Sequence, residues 1–255
     1  MKKQIIATGL ALLTGLTLAG CGSNDTAADN TGGTVASNLI FGGPAEFKTR
    51  ATGLPGLKDK YGVEFGKFTV TDTGGPVTVN ALLHGQIDAA DLFTTDPSIA
   101  ANHFVILQDP KSVFAAQNIV PIINAKMATP GITSTLEAIS SKLTTEGLTE
   151  LVGKVQNDKE DPADVASAWL SDNGLATKGS AAAGTSLTVG SANFPENVVL
   201  AEIYAEALTD QGAHITTKLN IGSREKYFPA LESGSLDLFA EYTGTALTYL
   251  DPKAT

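Results

Sequence analysis

The chain has 255 residues, 42% of them hydrophobic, enough to bury a sizeable core in one two-lobed unit or two small domains. A formal net charge of −10 argues against nucleic acid and anionic membrane surfaces as partners, since both repel an acidic surface. The single cysteine excludes an intrachain disulfide, and the three histidines, His84, His103 and His214, are scattered without metal-ligand spacing.

The N-terminus has a secretory layout: Lys2 and Lys3, an apolar run from Ile5 to Leu18 too short to favour a bilayer span, then small residues. It closes on Leu18-Ala19-Gly20-Cys21, which resembles the lipobox of bacterial lipoproteins. Residues 1–21 are therefore expected to be a signal peptide, with Cys21 lipidated and anchoring the chain to the membrane. Residues 22–37 are small, polar and aperiodic, as in a flexible tether.

From Asn38 the pattern is strand, turn, helix, repeated. Asn38 to Gly43 ("NLIFGG") reads as a strand, "GLPGLKDKYG" as a short helix and Phe68 to Val70 as the start of a second strand. Pro76 to His84 is predicted helical, and Ile87 to Phe93 and Phe104 to Asp109 are predicted strands. Such alternation means an α/β fold with a largely parallel sheet. Asn118 to Ala125 is β-rich but holds Pro121, which suits an edge or crossing strand. Three helices follow. Ile132, Leu136, Ile139 and Leu143 share a face of the first, and Leu148, Leu151, Val152 and Val155 of the second; the third opens on Asp161 and Pro162 and stops near Gly174.

Residues 176–186, small and without apolar periodicity, read as a linker between segments 38–175 and 187–255. The α/β order then restarts with a strand from Leu187 to Gly190 and a helix from Pro195 to before Gly212. A strand from Ile215 to Leu219, a helix opened by Ser223 and a strand from Leu236 to Glu241 complete it. An internal repeat joins the halves: Ala81-Leu82-x-x-Gly85-x-Ile87-Asp88 aligns with Ala230-Leu231-x-x-Gly234-x-Leu236-Asp237, which sets Phe93 on Tyr242 and Thr94 on Thr243.

In open parallel sheets ligands sit beyond the carboxyl ends of the strands, where Phe93-Thr94 and Tyr242-Thr243 both fall. Two facing lobes would set two aromatic faces and several hydroxyls around one cleft, and aromatic faces attract cations such as a quaternary ammonium. Each aromatic could instead plug the core at its strand end. The turns "FGGPAEFKTR" and "VGSANFPEN" carry Gly43 and Ser191, whose surroundings offer backbone N–H groups to a carboxylate, and Arg50 could clamp the same group or be a solvated surface arginine. Enzyme motifs are missing: "GVEFGK" (Gly62 to Lys67) is one residue too short for a P-loop, and there is no G-x-S-x-G or G-x-G-x-x-G.

Several long stretches together, "GGPAEFKTRATGLPGLKDKYG", "DAADLFTTDPSIAAN", "KLTTEGLTEL", "VGSANFPENVVLAEIYAEAL" and "LNIGSREKYFPALESGSLDLFAEYTGTAL", resemble the glycine betaine/choline-type substrate-binding proteins of ABC importers. The resemblance implies a type II periplasmic-binding-protein fold, two α/β lobes that close like a hinge. It implies a non-enzymatic, cofactor-free, extracytoplasmic protein that hands a quaternary ammonium compatible solute to a permease in osmoprotection. By motif position, Tyr242 and Phe93 fall at aromatic cage positions, Thr245 at a polar ligand contact and Arg50 at a carboxylate clamp. Thr94, Ser191 and Asn193 lie beside them. Gln117 stands where a further tyrosine is expected, Phe93 replaces a tyrosine, and Ala192 occupies a position where many members carry a lysine. Relative to the family the segment order is circularly permuted, with the family's opening segment last and the stretch after Thr255 that leads into the second lobe missing, as a fusion of tandem copies would leave it. The rival expectation is a non-binding remnant or interaction lipoprotein.

Overall fold

The computed structural model describes residues 34–251, so the expected signal peptide, Cys21 and most of the tether lie outside the described residues. Val35–Asn38 forms a single 3-10 turn, and the Gly66 N–H reaches back to the carbonyls of Ala36 and Leu39. The first half then alternates β1 (Ile40–Gly43), α1 (Leu54–Tyr61), β2 (Lys67–Val70), α2 (Pro76–Leu83), β3 (Ala89–Ala90) and α3 (Ser98–Ala101). β1 lies between β2 and β3 and is parallel to both. Pro55 and Pro76 sit in the first turns of α1 and α2, where an N–H has no intrahelical partner to lose. This small lobe is held largely by aromatics: Phe41 stacks on Phe47 at 5.0 Å and on Phe68 at 6.2 Å, with Phe65 tilted against it at 4.9 Å.

The chain crosses to a larger lobe through β4 (Ile119–Ile123) and continues with α4 (Pro130–Ser140), α5 (Thr145–Gln156) and α6 (Pro162–Asp172). β5 (Ser186–Gly190), α7 (Pro195–Asp210), β6 (His214–Lys218), α8 (Arg224–Glu232), β7 (Leu238–Tyr242) and α9 (Thr243–Leu250) follow. The second sheet has the order β4-β7-β5-β6, with β5 parallel to β6 and β7 and β4 antiparallel to β7. β4 is an edge strand with Pro121 opposite Ala240, the place where a residue without an N–H costs least. α7 is apolar nearly all round and is therefore central, packed between this sheet and α4, α5 and α6. The lobe boundary thus falls near Asn118, and α4 to α6 belong with segment 187–251.

The internal repeat is one structural device used twice. In each lobe a helix ends in a left-handed glycine, Gly85 (φ 63) or Gly234 (φ 73), a conformation that penalises any Cβ. The amide of Ile87 or Leu236 then bonds back to the carbonyl of Ala81 or Ala230. Asp88 accepts from the Ile40 N–H, and Asp237 from the Thr188 N–H, each at 2.8 Å, which fixes the register of the next strand against the lobe's central one. Ile87 and Leu236, both 1% exposed, plug the core beneath. A Cβ on Gly42 or Gly190 would come within 2.3 Å and 2.9 Å of those side chains, so any larger residue would have to displace the buried plug.

Two expectations are corrected. Phe104 to Asp109 is not a strand: it has no ladder partner among the described residues, and Val105, Ile106 and Leu107 are 84%, 61% and 78% exposed. The strand expected over Ile87 to Phe93 pairs only at Ala89 and Ala90, because Asp91 turns away after bonding the Gly42 carbonyl. The linking residues 176–185 are themselves fitted to the large lobe. Ala182 is buried, Gly179 and Ala182 donate to the Asp210 and Gln211 carbonyls, Gln211 Nε2 donates to the Thr177 carbonyl, and Lys178 pairs with Asp210.

Candidate functional site

The two halves of the repeat deliver Phe93 and Tyr242 to the boundary between the lobes, where the rings meet. Phe93 stacks on Phe194 with centroids 4.7 Å apart and on Tyr242 at 5.9 Å, and Phe194 lies 6.1 Å from Tyr242. Phe194 was not singled out from the sequence. It is the residue before α7, and Pro195 after it fixes the chain's entry into the helix. Between two rings a methylated ammonium would lie within about 6 Å of each centroid, so opposed faces must stand well apart to hold it. The rings as they stand are in contact, and the adjoining cavity, lined by Phe93, Thr95, Asp96, Phe194 and Glu196, has a volume of about 10 Å³, room for one water. Admission of an ammonium therefore requires the small lobe to carry Phe93 away from Phe194 and Tyr242.

Beneath the rings lies a buried carboxylate. Glu196 on α7, 4% exposed, accepts from the Tyr242 hydroxyl at 2.5 Å through Oε1 and from the Thr95 hydroxyl through Oε2. Thr95 belongs to the small lobe, so this carboxylate ties the lobes together. Burial pushes the Glu196 carboxyl up, the two hydroxyl donors pull it down, and nearby Asp96 raises it again. Burial, with the Glu196 charge next to it, holds the Tyr242 phenol well above its ordinary value. Asp96 is 4% exposed; its Oδ1 accepts from the Ser98 N–H at 2.8 Å, and its Oδ2 has no hydrogen-bond partner among the described residues.

Arg50 stands at the same boundary but among acids. Its Nη2 lies 3.8 Å from Glu46 of its own lobe and 3.8 Å from Glu225 in the first turn of α8. Asp91 is close enough for Arg50 to lower its carboxyl, yet desolvation outweighs this and pushes it up to about 6. A buried bidentate pair flanks the site: Arg224 Nε and Nη2 donate to Glu241 at 2.9 Å and 2.5 Å, and the Tyr227 hydroxyl donates to the same carboxylate at 2.8 Å. The Tyr242 N–H also donates to Glu241 at 2.8 Å, so this network fixes the backbone that presents the Tyr242 ring.

Gln117 and Ser191 hold parts of the backbone. Gln117 is exposed, and its Oε1 accepts from the Gly244 and Thr245 N–H groups at 3.0 Å and 3.2 Å, capping α9 from another segment. Thr245 thus meets Gln117 through its backbone. Ser191 is fully buried, and its Oγ accepts from the Asn220 N–H at 2.8 Å, holding the turn before α8. The Ala192 N–H is taken by Asn197 Oδ1 at 2.7 Å, and Asn197 Nδ2 ties the turn to the Ala240 carbonyl. Thr94 and Asn193 are exposed at the boundary's rim. Among the described residues no group of three or more His, Cys, Asp or Glu could hold a metal, and no helix is long and apolar enough to cross a membrane.

The model of a family described as the substrate binding domain of ABC-type glycine betaine transport system matches residues 26–172 and 185–255. The glycine-betaine-binding protein of Pseudomonas aeruginosa is 24% identical over 152 residues, 59% of this chain and 49% of its own length, so the chain spans about half the length of that curated relative. A solved structure described as a glycine betaine/carnitine/choline ABC transporter aligns with a TM-score of 0.41 at 24% identity, over 55% of this chain and 52% of that one.

Proposed function

Because the chain belongs to the family of substrate-binding domains of ABC-type glycine betaine transport systems, we propose that it captures a quaternary ammonium compatible solute between its two lobes and presents it to an importer's permease. It is a binding protein and not an enzyme. The observation that carries the reading is the meeting of Phe93 and Tyr242, delivered from equivalent positions of the repeat, with Phe194 beside them and Glu196 beneath. Quaternary ammonium groups cannot donate hydrogen bonds, so aromatic faces and a countercharge are the chemistry that holds them.

Binding proceeds in this reading by separation of the lobes, entry of the ammonium between the Phe93 face and the Phe194 and Tyr242 faces, and reclosure. Thr94, Asn193 and Thr245 supply polar contacts at the rim, and Ser191 and Gln117 hold the turns on which the site stands. Lipidation of Cys21 would keep the protein at the outer face of the membrane beside the permease, with uptake serving osmoprotection. The permuted segment order is a part of the same proposal. It is supported by the way α4 to α6 pack on α7 of the later segment.

Calorimetric titration of the full chain with choline and glycine betaine tests the reading. Phe93→Ala and Tyr242→Ala should each weaken binding by about 0.5–2 kcal/mol, roughly 2- to 30-fold. Unchanged affinity in both variants would remove the site assignment, and no binding of any quaternary ammonium would favour the non-binding remnant.

A further inference from the structure

We infer that the cleft is selective for a quaternary ammonium alcohol of the choline class over a zwitterionic betaine, with Glu196 supplying the countercharge that decides the preference. The inference rests on the quaternary ammonium reading above and adds to it the charge type of the ligand.

A betaine brings a carboxylate, and the places expected to receive one are occupied or hostile. The strand-to-helix turns before α2, α7 and α9 each hold an internal side-chain oxygen where an exogenous anion would bind. Asp72 accepts from the Gly75, Val77 and Thr78 N–H groups, Asn197 Oδ1 takes the Ala192 N–H, and Gln117 Oε1 takes those of Gly244 and Thr245. The Ser191 hydroxyl serves the Asn220 N–H. Arg50, the expected clamp, lies between Glu46 and Glu225 with Asp91 also in its field, so an incoming carboxylate would face three carboxylates around one guanidinium. The other arginine at the boundary, Arg224, is consumed by Glu241.

A cation finds the reverse. Glu196 is buried with only hydroxyl donors around it, and a buried carboxylate without an opposite charge carries a desolvation cost that an adjacent cation repays. Asp96, equally buried and with Oδ2 unpartnered among the described residues, lines the same cavity and adds a second source of negative potential. The Phe93 and Phe194 faces complete a cation's surroundings without providing for an anion.

The test is calorimetry on the full chain with choline, glycine betaine and 3,3-dimethyl-1-butanol, the uncharged isostere of choline. Choline should bind at least about tenfold more tightly than betaine, the ratio set by about 1.4 kcal/mol, and the isostere more weakly than choline. Glu196→Gln should weaken choline about tenfold while moving betaine less than about threefold. A cooperative melt of the variant confirms that it folds; if it does not fold, Asp96→Asn, which lines the same cavity and keeps the Oδ1 acceptor of the Ser98 N–H, replaces it and should weaken choline in the same direction. Betaine binding as tightly as choline, the isostere matching choline, or equal losses for both ligands in the variant would overturn the inference while leaving the quaternary ammonium reading intact. Binding of neither ammonium would overturn both.

Discussion

At the scale of single residues, the chemistry around Arg50 and Gln117 is set by partners that no linear pattern displays. Arg50 was legible as a boundary residue and Glu46 stands four residues before it, but its other acidic neighbours, Asp91 and Glu225, come from two distant segments. Asp91 makes this testable. Its carboxyl is raised from 3.8 to about 6 chiefly by desolvation, so the folded state binds its proton more tightly than the unfolded chain does. The stabilising contribution is therefore full below about pH 4 and lost as pH rises through about 6. Asp91→Asn should flatten that slope and leave the protein more stable than the parent at pH 7 in urea titrations at several pH values. A loss of stability at pH 7 would mean that attraction to Arg50 outweighs desolvation. Gln117→Ala should lower stability by about 0.5–1 kcal/mol through the lost cap of α9, read from the same denaturation midpoints. Gln117→Tyr, which frees the Gly244 and Thr245 amides and adds a ring, should raise betaine affinity relative to choline.

At the scale of elements, the repeat was the part of the sequence that spoke most clearly, and the reason is physical. Gly85 and Gly234 must adopt left-handed backbone, Asp88 and Asp237 must reach the neighbouring strand's amide, and Ile87 and Leu236 must fill the space above Gly42 and Gly190. Each requirement fixes a residue type at a fixed spacing. The run from Phe104 to Asp109 misled because β-propensity describes fitness for a sheet and is realised only where a partner strand exists. In the linking run from Ala176 to Thr185 the small residues serve close packing, as where a Cβ on Gly131 would come within 2.0 Å of the Ala181 carbonyl oxygen. The junction of α8 with β7 depends on the Arg224–Glu241 pair, which no spacing revealed. Removing one partner strands a buried charge, so Arg224→Met should destabilise by about 3–5 kcal/mol. The double variant Arg224→Met/Glu241→Gln should recover a good part of that loss. Equal losses in the single and double variants, measured by chemical denaturation, would show that the charge itself is not the cost.

At the scale of the molecule, two lobes of like construction meet through side chains more than through backbone, and the aromatic and carboxylate contacts of the boundary are shared between them. Phe93 and Thr95 come from the small lobe, Phe194, Glu196 and Tyr242 from the large one. Loss of the Phe93 ring should therefore loosen the boundary and spare the core. In Phe93→Ala, amide hydrogen exchange should quicken over residues 91–98 and 194–198 and stay unchanged in α4 and α6. Uniform quickening throughout would mean that the boundary and the core form one cooperative unit. The central claim, that this boundary binds a quaternary ammonium, is tested most directly by a thermal melt of the full chain with and without excess choline, glycine betaine or carnitine. A ligand at about 100 times its dissociation constant adds about 2.7 kcal/mol to the folded state. A cooperative melt raised by a quaternary ammonium, with the rise lost in Tyr242→Ala, is the predicted result; a sharp melt that none of the three moves would contradict it.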